Sequence, residues 1–350
     1  MISVCIVIPI YNVENHIEQC LYSVMAQDYP QLQCMLLNDC STDDSMQVVA
    51  KVIRGYDGPI RFQIFNLTEN KGAAVARNIG IQSAAADYIY FLDGDDALFP
   101  DTISDMVQHV QQHPGLDMVQ GEMYCEDPQL QKTFSIAKKN FPAYTADPVW
   151  LKNHFLMDVP VSPCNKLVNL RFLRSNGIFF EPGLLHEDIL WRFKLGKFIK
   201  SMAFTKHVGY KYTLNNNSVM TAPANDLRRI HSQMVIIEYM LEHLCKYFAG
   251  IESLSLLRQF YYARSMMVLD ENKAYRDKMV KEDIKEQLQR HDVDPMLRVG
   301  YRMLLSDRFL KYGPWLWNKY MGLMFRIVKK QTRAILERSV SLNQTRRELT

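Results

Sequence analysis

A chain of 350 residues exceeds the usual size of one domain, so two or more units around a sizeable core are expected. With 48% apolar and 23% charged residues the composition excludes a largely disordered chain, and no apolar run approaches the roughly eighteen residues that a membrane-spanning helix needs. The net charge of +3 is uneven, because residues 301–350 hold eleven Lys and Arg against three Asp and Glu, which confines the basic character to the tail.

Residues 3–10, Ser-Val-Cys-Ile-Val-Ile-Pro-Ile, make a continuous apolar run suited to a strand covered on both faces. A helical pattern follows with Ile17, Cys20, Leu21, Val24 and Met25 on one side, then a second strand near Gln33 to Leu37. Asp43 is placed to cap a helix whose apolar positions are Met46, Val49, Ala50 and Ile53. A third strand spans Arg61 to Leu67, a small-residue helix Ala73 to Ala85, and a fourth strand Tyr88 to Leu92. Alternation of this kind predicts a mostly parallel α/β sheet with helices on both faces. The seven cysteines are scattered, odd in number and without metal-ligand spacing, which fits buried free thiols in a reducing compartment. The N-terminus has no basic region ahead of its short apolar segment, so a cytoplasmic, unprocessed chain is expected.

In such sheets ligands bind beyond the carboxyl ends of the strands. There the sequence places Tyr11-Asn12, Asn38-Asp39, Glu69-Asn70-Lys71-Gly72 and Asp93-Gly94-Asp95-Asp96. Three carboxylates within four positions repel one another unless a cation or a ring of donors compensates them, and a hard divalent metal such as Mg²⁺ or Mn²⁺ is the simplest compensation. Gly72 leaves the amides of the following helix open to an anion, with Arg77 one turn further in. The bland reading is that Asp93-Gly94 is a turn and that Asp95 and Asp96 lead into a helix begun by Pro100. Neither the glycine dinucleotide fingerprint nor the P-loop pattern is present.

The four motifs together resemble the family 2 glycosyltransferases of the A-type nucleotide-diphospho-sugar fold. They are Val7-Ile8-Pro9-Ile10-Tyr11-Asn12, Asn38-Asp39-Cys40-Ser41-Thr42-Asp43, Glu69 through Asn78, and Tyr90-Phe91-Leu92-Asp93-Gly94-Asp95-Asp96. The resemblance continues through Asn165-Lys166, Asn176-Gly177, His186-Glu187-Asp188 and Tyr210-Lys211-Tyr212 to about residue 220. Cys164 departs from the pattern, since many relatives carry an aromatic before the Asn-Lys pair. The resemblance implies a donor carrying uridine, with Pro9, Tyr11, Asn12, Asp39, Lys71, Gly72, Arg77, Asp93 and Gly94 around the nucleotide-sugar. Asp39 would read the base edge, and Arg77 with Lys71 would face the base or the diphosphate. It implies a metal at Asp95, with Asp93, Asp96 and His186 beside it, and an acceptor side formed by Asn165 and Lys166. Asp188 is the implied general base and Glu187 a holder of sugar hydroxyls. A separate base and direct displacement give inversion at the anomeric carbon. The alternative for Glu187 and Asp188 is that they only favour the start of the helix at Ile189, and for His186 that it is structural.

The division expected is a nucleotide-sugar half over 1–100, an acceptor half of the same catalytic domain over 101–222, a helical extension over 223–312 with a charged linker near Glu271 to Asp294, and a basic amphipathic tail over 313–350. In that tail Trp317, Met321, Met324, Val328 and Ile335 share one helical face, while Lys319, Arg326, Lys330 and Arg333 lie opposite. Residues 314–338 either lie in the interface of an anionic membrane, which would put the enzyme peripherally on its inner face beside a lipid-linked saccharide acceptor, or pack on the protein with a solvated basic face. No nucleic-acid-binding motif accompanies the charge. Two other readings stay open. Sugar nucleotidyl transfer usually begins with a Gly-rich basic loop, which Tyr11-Asn12-Val13-Glu14 is not. A nucleotide-sugar-binding protein without turnover, attached to membranes by its tail, is the second.

Overall fold

Apolar continuity dictates where the strands lie in a computed structural model of the chain. It describes residues 1–127, 132–133, 141–213, 226–243, 259, 274–289 and 295–306, and of the tail residues 317, 319–321, 323 and 326. The four N-terminal strands β1 (Val4–Ile10), β2 (Leu32–Asn38), β3 (Arg61–Asn66) and β4 (Tyr88–Phe91) run parallel in the order β3-β2-β1-β4. β1 and β4 are buried almost throughout, as expected of strands covered on both faces. β3 is largely exposed because it pairs only with β2, and Arg61, Gln63 and Asn66 along it suit an edge.

The connections are α1 (Ile17–Met25), α2 (Ser45–Arg54) and α3 (Ala73–Ser83). In α2 Ser45, Val49 and Val52 face inward while Ala50 points to solvent, so the buried stripe is shifted from the one the sequence suggests. Asp43 accepts the amide of Ser45 at the start of that helix. Beyond β4 come β5 (Ala97–Leu98), α4 (Thr102–Gln112), β6 (Met118–Asp127), β7 (Lys132–Thr133), β8 (Tyr144–Thr145), α5 (Pro148–Asp158), β9 (Lys166–Asn169), α6 (Leu170–Ser175), α7 (Glu187–Phe198) and β10 (Met202–Thr213). β9 inserts antiparallel between β4 and β6, and β10 runs parallel to β6, so the sheet continues as β4-β9-β6-β10-β5.

Strand order reverses at β1, whose neighbours are β2 on one side and β4 on the other. A crevice opens at such a switch point beyond the carboxyl ends of the strands. Beneath it Phe91, Phe180 and Trp191 form an aromatic cluster. Phe180 stacks on Trp191 at 4.7 Å, and Phe91 meets both edge-on. Each such pair contributes about 0.5–1.5 kcal/mol beyond its buried area.

Two compact units emerge, one of Met1–Asp147 with Pro160–Ala222 and one of Pro148–Val159 with Pro223–Thr350. The stretch 148–159, inside the acceptor half by sequence, thus groups with the C-terminal unit. In that unit α5 buries Leu151, Phe155 and Leu156, and α8 (Asp226–Glu242) buries Ile236, Ile237 and Met240. The charged stretch expected to be a linker is instead a helix over Ala274–Gln289, because Val280 and Ile284 fall one turn apart on a buried face. A further helix covers Pro295–Leu304. Trp317 is buried, and the hydroxyl of Tyr320 accepts the amide of Gly300 at 2.9 Å, so this part of the tail packs within its own unit. Lys319, Leu323 and Arg326 are exposed. Met324, Val328, Lys330, Arg333 and Ile335 lie outside the described residues. Among the described residues no helix is long and apolar enough to cross a membrane.

Candidate active site

The first two strand ends are locked together by reciprocal bonds. Asn12 accepts the amide of Thr42 at 2.9 Å, Asp43 accepts that of Glu14 at 3.0 Å, the side chain of Glu14 accepts that of Asp44 at 3.0 Å, and Ser45 accepts that of Val13 at 2.8 Å. Asn12 and Cys40 are left-handed at φ of 52° and 61°, a strained backbone of the kind that clusters at functional sites. Tyr11 stands 43% exposed above this frame, and Gly94 lies so close to Pro9 that an added Cβ would sit 3.1 Å from its carbonyl oxygen.

Asp39 is 2% exposed, and its two carboxylate oxygens accept the amides of Lys71 and Gly72, each at 2.7 Å. Gly72, at φ 86°, provides the left-handed turn that aims them. Both amides precede the helix, whose first residue is Ala73, so Asp39 fixes the turn that leads into α3. The ammonium of Lys71 pairs with Glu69 at 3.1 Å on the surface, where such pairs contribute little.

At the end of β4 the three carboxylates part company. Asp93 and Asp95 are half-buried, but Asp96 is 3% exposed and turned under the rim. There it accepts the hydroxyl of Tyr210 at 2.5 Å and the amide of Thr213 at 2.7 Å. Burial first, and then the negative charge of Asp93, push its carboxyl up to about 8. Among the described residues no group of three or more His, Cys, Asp or Glu is arranged to hold a metal. The expected set of Asp93, Asp95, Asp96 and His186 is thus not assembled, and the reason for Asp96 is its inward pair of donors. His186 is the residue before α7, at φ 63°.

Arg77 links this turn to the opposite wall. Its guanidinium, 6% exposed, donates to Asp93 at 2.7 Å and to Glu187 at 2.7 Å, and lies 5.5 Å above the ring of Phe180. Burial works against its charge, but Asp93 and Glu187 outweigh that and its pKa is raised. Both of its terminal nitrogens are engaged with protein carboxylates. Next to it, Asn78 both donates to the carbonyl and accepts from the amide of Phe180, each at 2.8 Å. Asp188 sits in the first turn of α7 and accepts the amide of Ile189 at 2.9 Å. The acid pair therefore occupies a helix N-terminus, and the same segment is brought by Arg77 to the carboxylate turn.

Asn165 and Lys166 are fully buried, which corrects the expectation that they line the acceptor pocket. Asn165, left-handed at φ 59°, accepts the hydroxyl of Tyr90 at 3.3 Å between β4 and β6. The ammonium of Lys166 donates to the carbonyl of Ser162, and burial pushes its pKa down to about 7. They hold the sheet under the rim. Tyr210 and Phe180 are functional supports whose tasks the sequence does not reveal, since their partners lie about a hundred residues away.

A carboxylate turn at the switch point of such a sheet, faced by an acidic helix start, defines the A-type nucleotide-diphospho-sugar glycosyltransferase class. Residues 5–160 match the model of glycosyl transferase family 2. It is 26% identical over 254 residues to the glycosyltransferase YibD of Escherichia coli (strain K12), covering 70% of this chain and 71% of that protein. It is 23% identical over 271 residues to the poly(ribitol-phosphate) beta-N-acetylglucosaminyltransferase TarS of Staphylococcus aureus (strain Mu50 / ATCC 700699), covering 69% of this chain and 44% of the relative. The fold matches S. aureus TarS 1–349 in complex with UDP-GlcNAc with a TM-score of 0.64 at 19% identity, over 95% of this chain and 92% of that one. It matches the mannosyltransferase PcManGT of Pyrobaculum calidifontis, in complex with GDP-Man and Mn²⁺, with a TM-score of 0.54 at 15% identity, over 94% and 86%.

Proposed function

We propose that this glycosyltransferase moves a sugar from a UDP-sugar to a hydroxyl of a saccharide or lipid-linked saccharide, with inversion at the anomeric carbon. The observation that carries the reading is the double ion pair of Arg77, which sets Asp93 of the donor-side turn and Glu187 of the acceptor-side helix against one guanidinium. In this reading the uracil lies along Tyr11 beside Asp39, whose oxygens keep lone pairs beyond those used by Lys71 and Gly72. Asp188 accepts the proton of the attacking hydroxyl, a task that contributes roughly 10²–10⁴ in rate. Glu187, fixed by Arg77, keeps the helix start at a set distance from the reacting centre.

A divalent cation fits the site in a limited way. Half-buried Asp93 and Asp95 offer oxygen ligands, but too few for a closed cage, which suits Mn²⁺ or Mg²⁺ completing its shell with diphosphate and water. Asp95 would hold it, with Asp93 alongside. When bound, it neutralises charge gathering on the departing diphosphate.

The TarS complex with UDP-GlcNAc supports uridine as the nucleoside. The relatives named as a teichoic acid poly(glycerol phosphate) polymerase and as a poly(ribitol-phosphate) glycosyltransferase favour an acceptor in surface-polymer synthesis. Exposed Lys319, Leu323 and Arg326 would be the contacts with an anionic membrane surface, without buried Trp317. The test is a panel of UDP-sugars assayed for Mn²⁺-dependent UDP release. Release from at least one supports the reading, and tight UDP binding with no turnover on any would favour the binding protein without catalysis.

A further inference from the structure

We propose that Arg77 is a positioning residue of the transfer step, holding the donor-side turn and the acceptor-side helix start at a fixed separation. This rests on the transferase reading above and concerns how its two halves are aligned. Asp93 and Glu187 lie 94 residues apart in sequence on opposite walls, and each meets a different terminal nitrogen of one guanidinium at 2.7 Å. Three further contacts fix the same junction. Phe180 lies under the guanidinium at 5.5 Å, its backbone is held on both sides by Asn78, and its ring stacks on Trp191, one turn beyond Glu187 on α7.

Two other roles are less well supported. A nucleotide contact needs a reachable guanidinium, whereas that of Arg77 is 6% exposed and both terminal nitrogens are committed to protein carboxylates. A purely architectural ion pair does not explain why one partner is Asp93, whose side chain remains 37% exposed at the rim.

The comparison is among R77K, R77Q and R77A, with R174A as a stability control. Arg174 donates to the carbonyls of Ile81 and Ala84 at the far end of α3, each at 2.7 Å, away from the rim. We expect R77Q and R77K to lower kcat by about 10²-fold, the effect of a misplacement near 1 Å. UDP affinity with Mn²⁺ should stay within about threefold of wild type. Millimolar guanidinium should restore part of the kcat of R77A, and R174A should melt lower yet keep its kcat. The proposal is overturned if UDP affinity falls in step with kcat, if guanidinium fails to rescue R77A, or if R174A loses as much kcat as R77Q. Wild-type protein that releases no UDP refutes the transferase reading and this proposal with it, whereas full turnover by R77Q refutes this proposal alone.

Discussion

Replacing Asp39 by Asn tests the frame on which the donor site is built. Both carboxylate oxygens of Asp39 accept backbone amides at 2.7 Å, and the carboxylate itself is buried at 2% exposure, which strengthens both bonds. A hydrogen bond to a charged group contributes about 1.5–3 kcal/mol, and a buried donor left unsatisfied costs about 1–3 kcal/mol. In Asp39→Asn one oxygen survives, while the new NH₂ faces an amide that also donates. One charge-assisted bond is lost and one donor is stranded, giving roughly 2–4 kcal/mol of destabilisation. For a unit of this size that corresponds to a fall in Tm of about 5–15 °C. Asp39→Ala strands both amides and should fall further. The Lys71-Gly72 turn would shift with them, so UDP affinity in Asp39→Asn should drop by at least about tenfold. Thermal melts followed by calorimetric titration with UDP measure both. A variant that melts within a degree of wild type and binds UDP equally would refute the frame and the base-reading role together.

Lys166 gives a pH-dependent prediction, because its pKa is about 7 when folded and returns to the ordinary lysine value on unfolding. Between these values the unfolded chain binds the extra proton, so this residue makes stability rise with pH from about 7 upward, by at most about 1.4 kcal/mol per pH unit, and it makes no such contribution below. Urea unfolding of wild type and Lys166→Met at several pH values should show that slope only in wild type; identical slopes would contradict it. Gly121→Ala would place a Cβ 2.4 Å from the side-chain oxygen of Asn165 and 2.5 Å from Met106. It should lower stability by about 1–3 kcal/mol in denaturant melts, and an unchanged midpoint would show that the contact can relax. Asp188→Asn should keep UDP affinity while losing about 10²–10⁴ in transfer rate, and a variant retaining near wild-type kcat would remove Asp188 as the base.

Much of the donor half was legible because its signals are local. The four parallel strands follow from continuous apolar runs, and their carboxyl ends gather Tyr11, Asp39, Gly72 and Asp93 on one rim as strand alternation requires. What escaped the sequence depends on distant partners. Asp96 looks like a third rim carboxylate until Tyr210 and Thr213, on a strand more than a hundred residues later, take both its oxygens. The pairing of Arg77 with Glu187 on α7, 110 residues later, leaves no trace in the local sequence either. Asn165 and Lys166 read as pocket residues because their polarity hides the burial imposed by β9, an antiparallel insertion that local periodicity does not reveal. The charged stretch after Glu271 was misleading for the opposite reason. Two inward positions, Val280 and Ile284, give a buried face to a helix whose sequence is otherwise rich in charge.

The central claim is that the carboxyl rim of the β3-β2-β1-β4 sheet holds a uridine diphosphate through a divalent cation. Calorimetric titration with UDP, in the presence of Mn²⁺ and of a chelator, on wild type and Asp95→Ala tests it most directly. Binding should depend on Mn²⁺ in wild type and be lost in Asp95→Ala. Equal UDP affinity in the two proteins, or binding indifferent to the chelator, would contradict it.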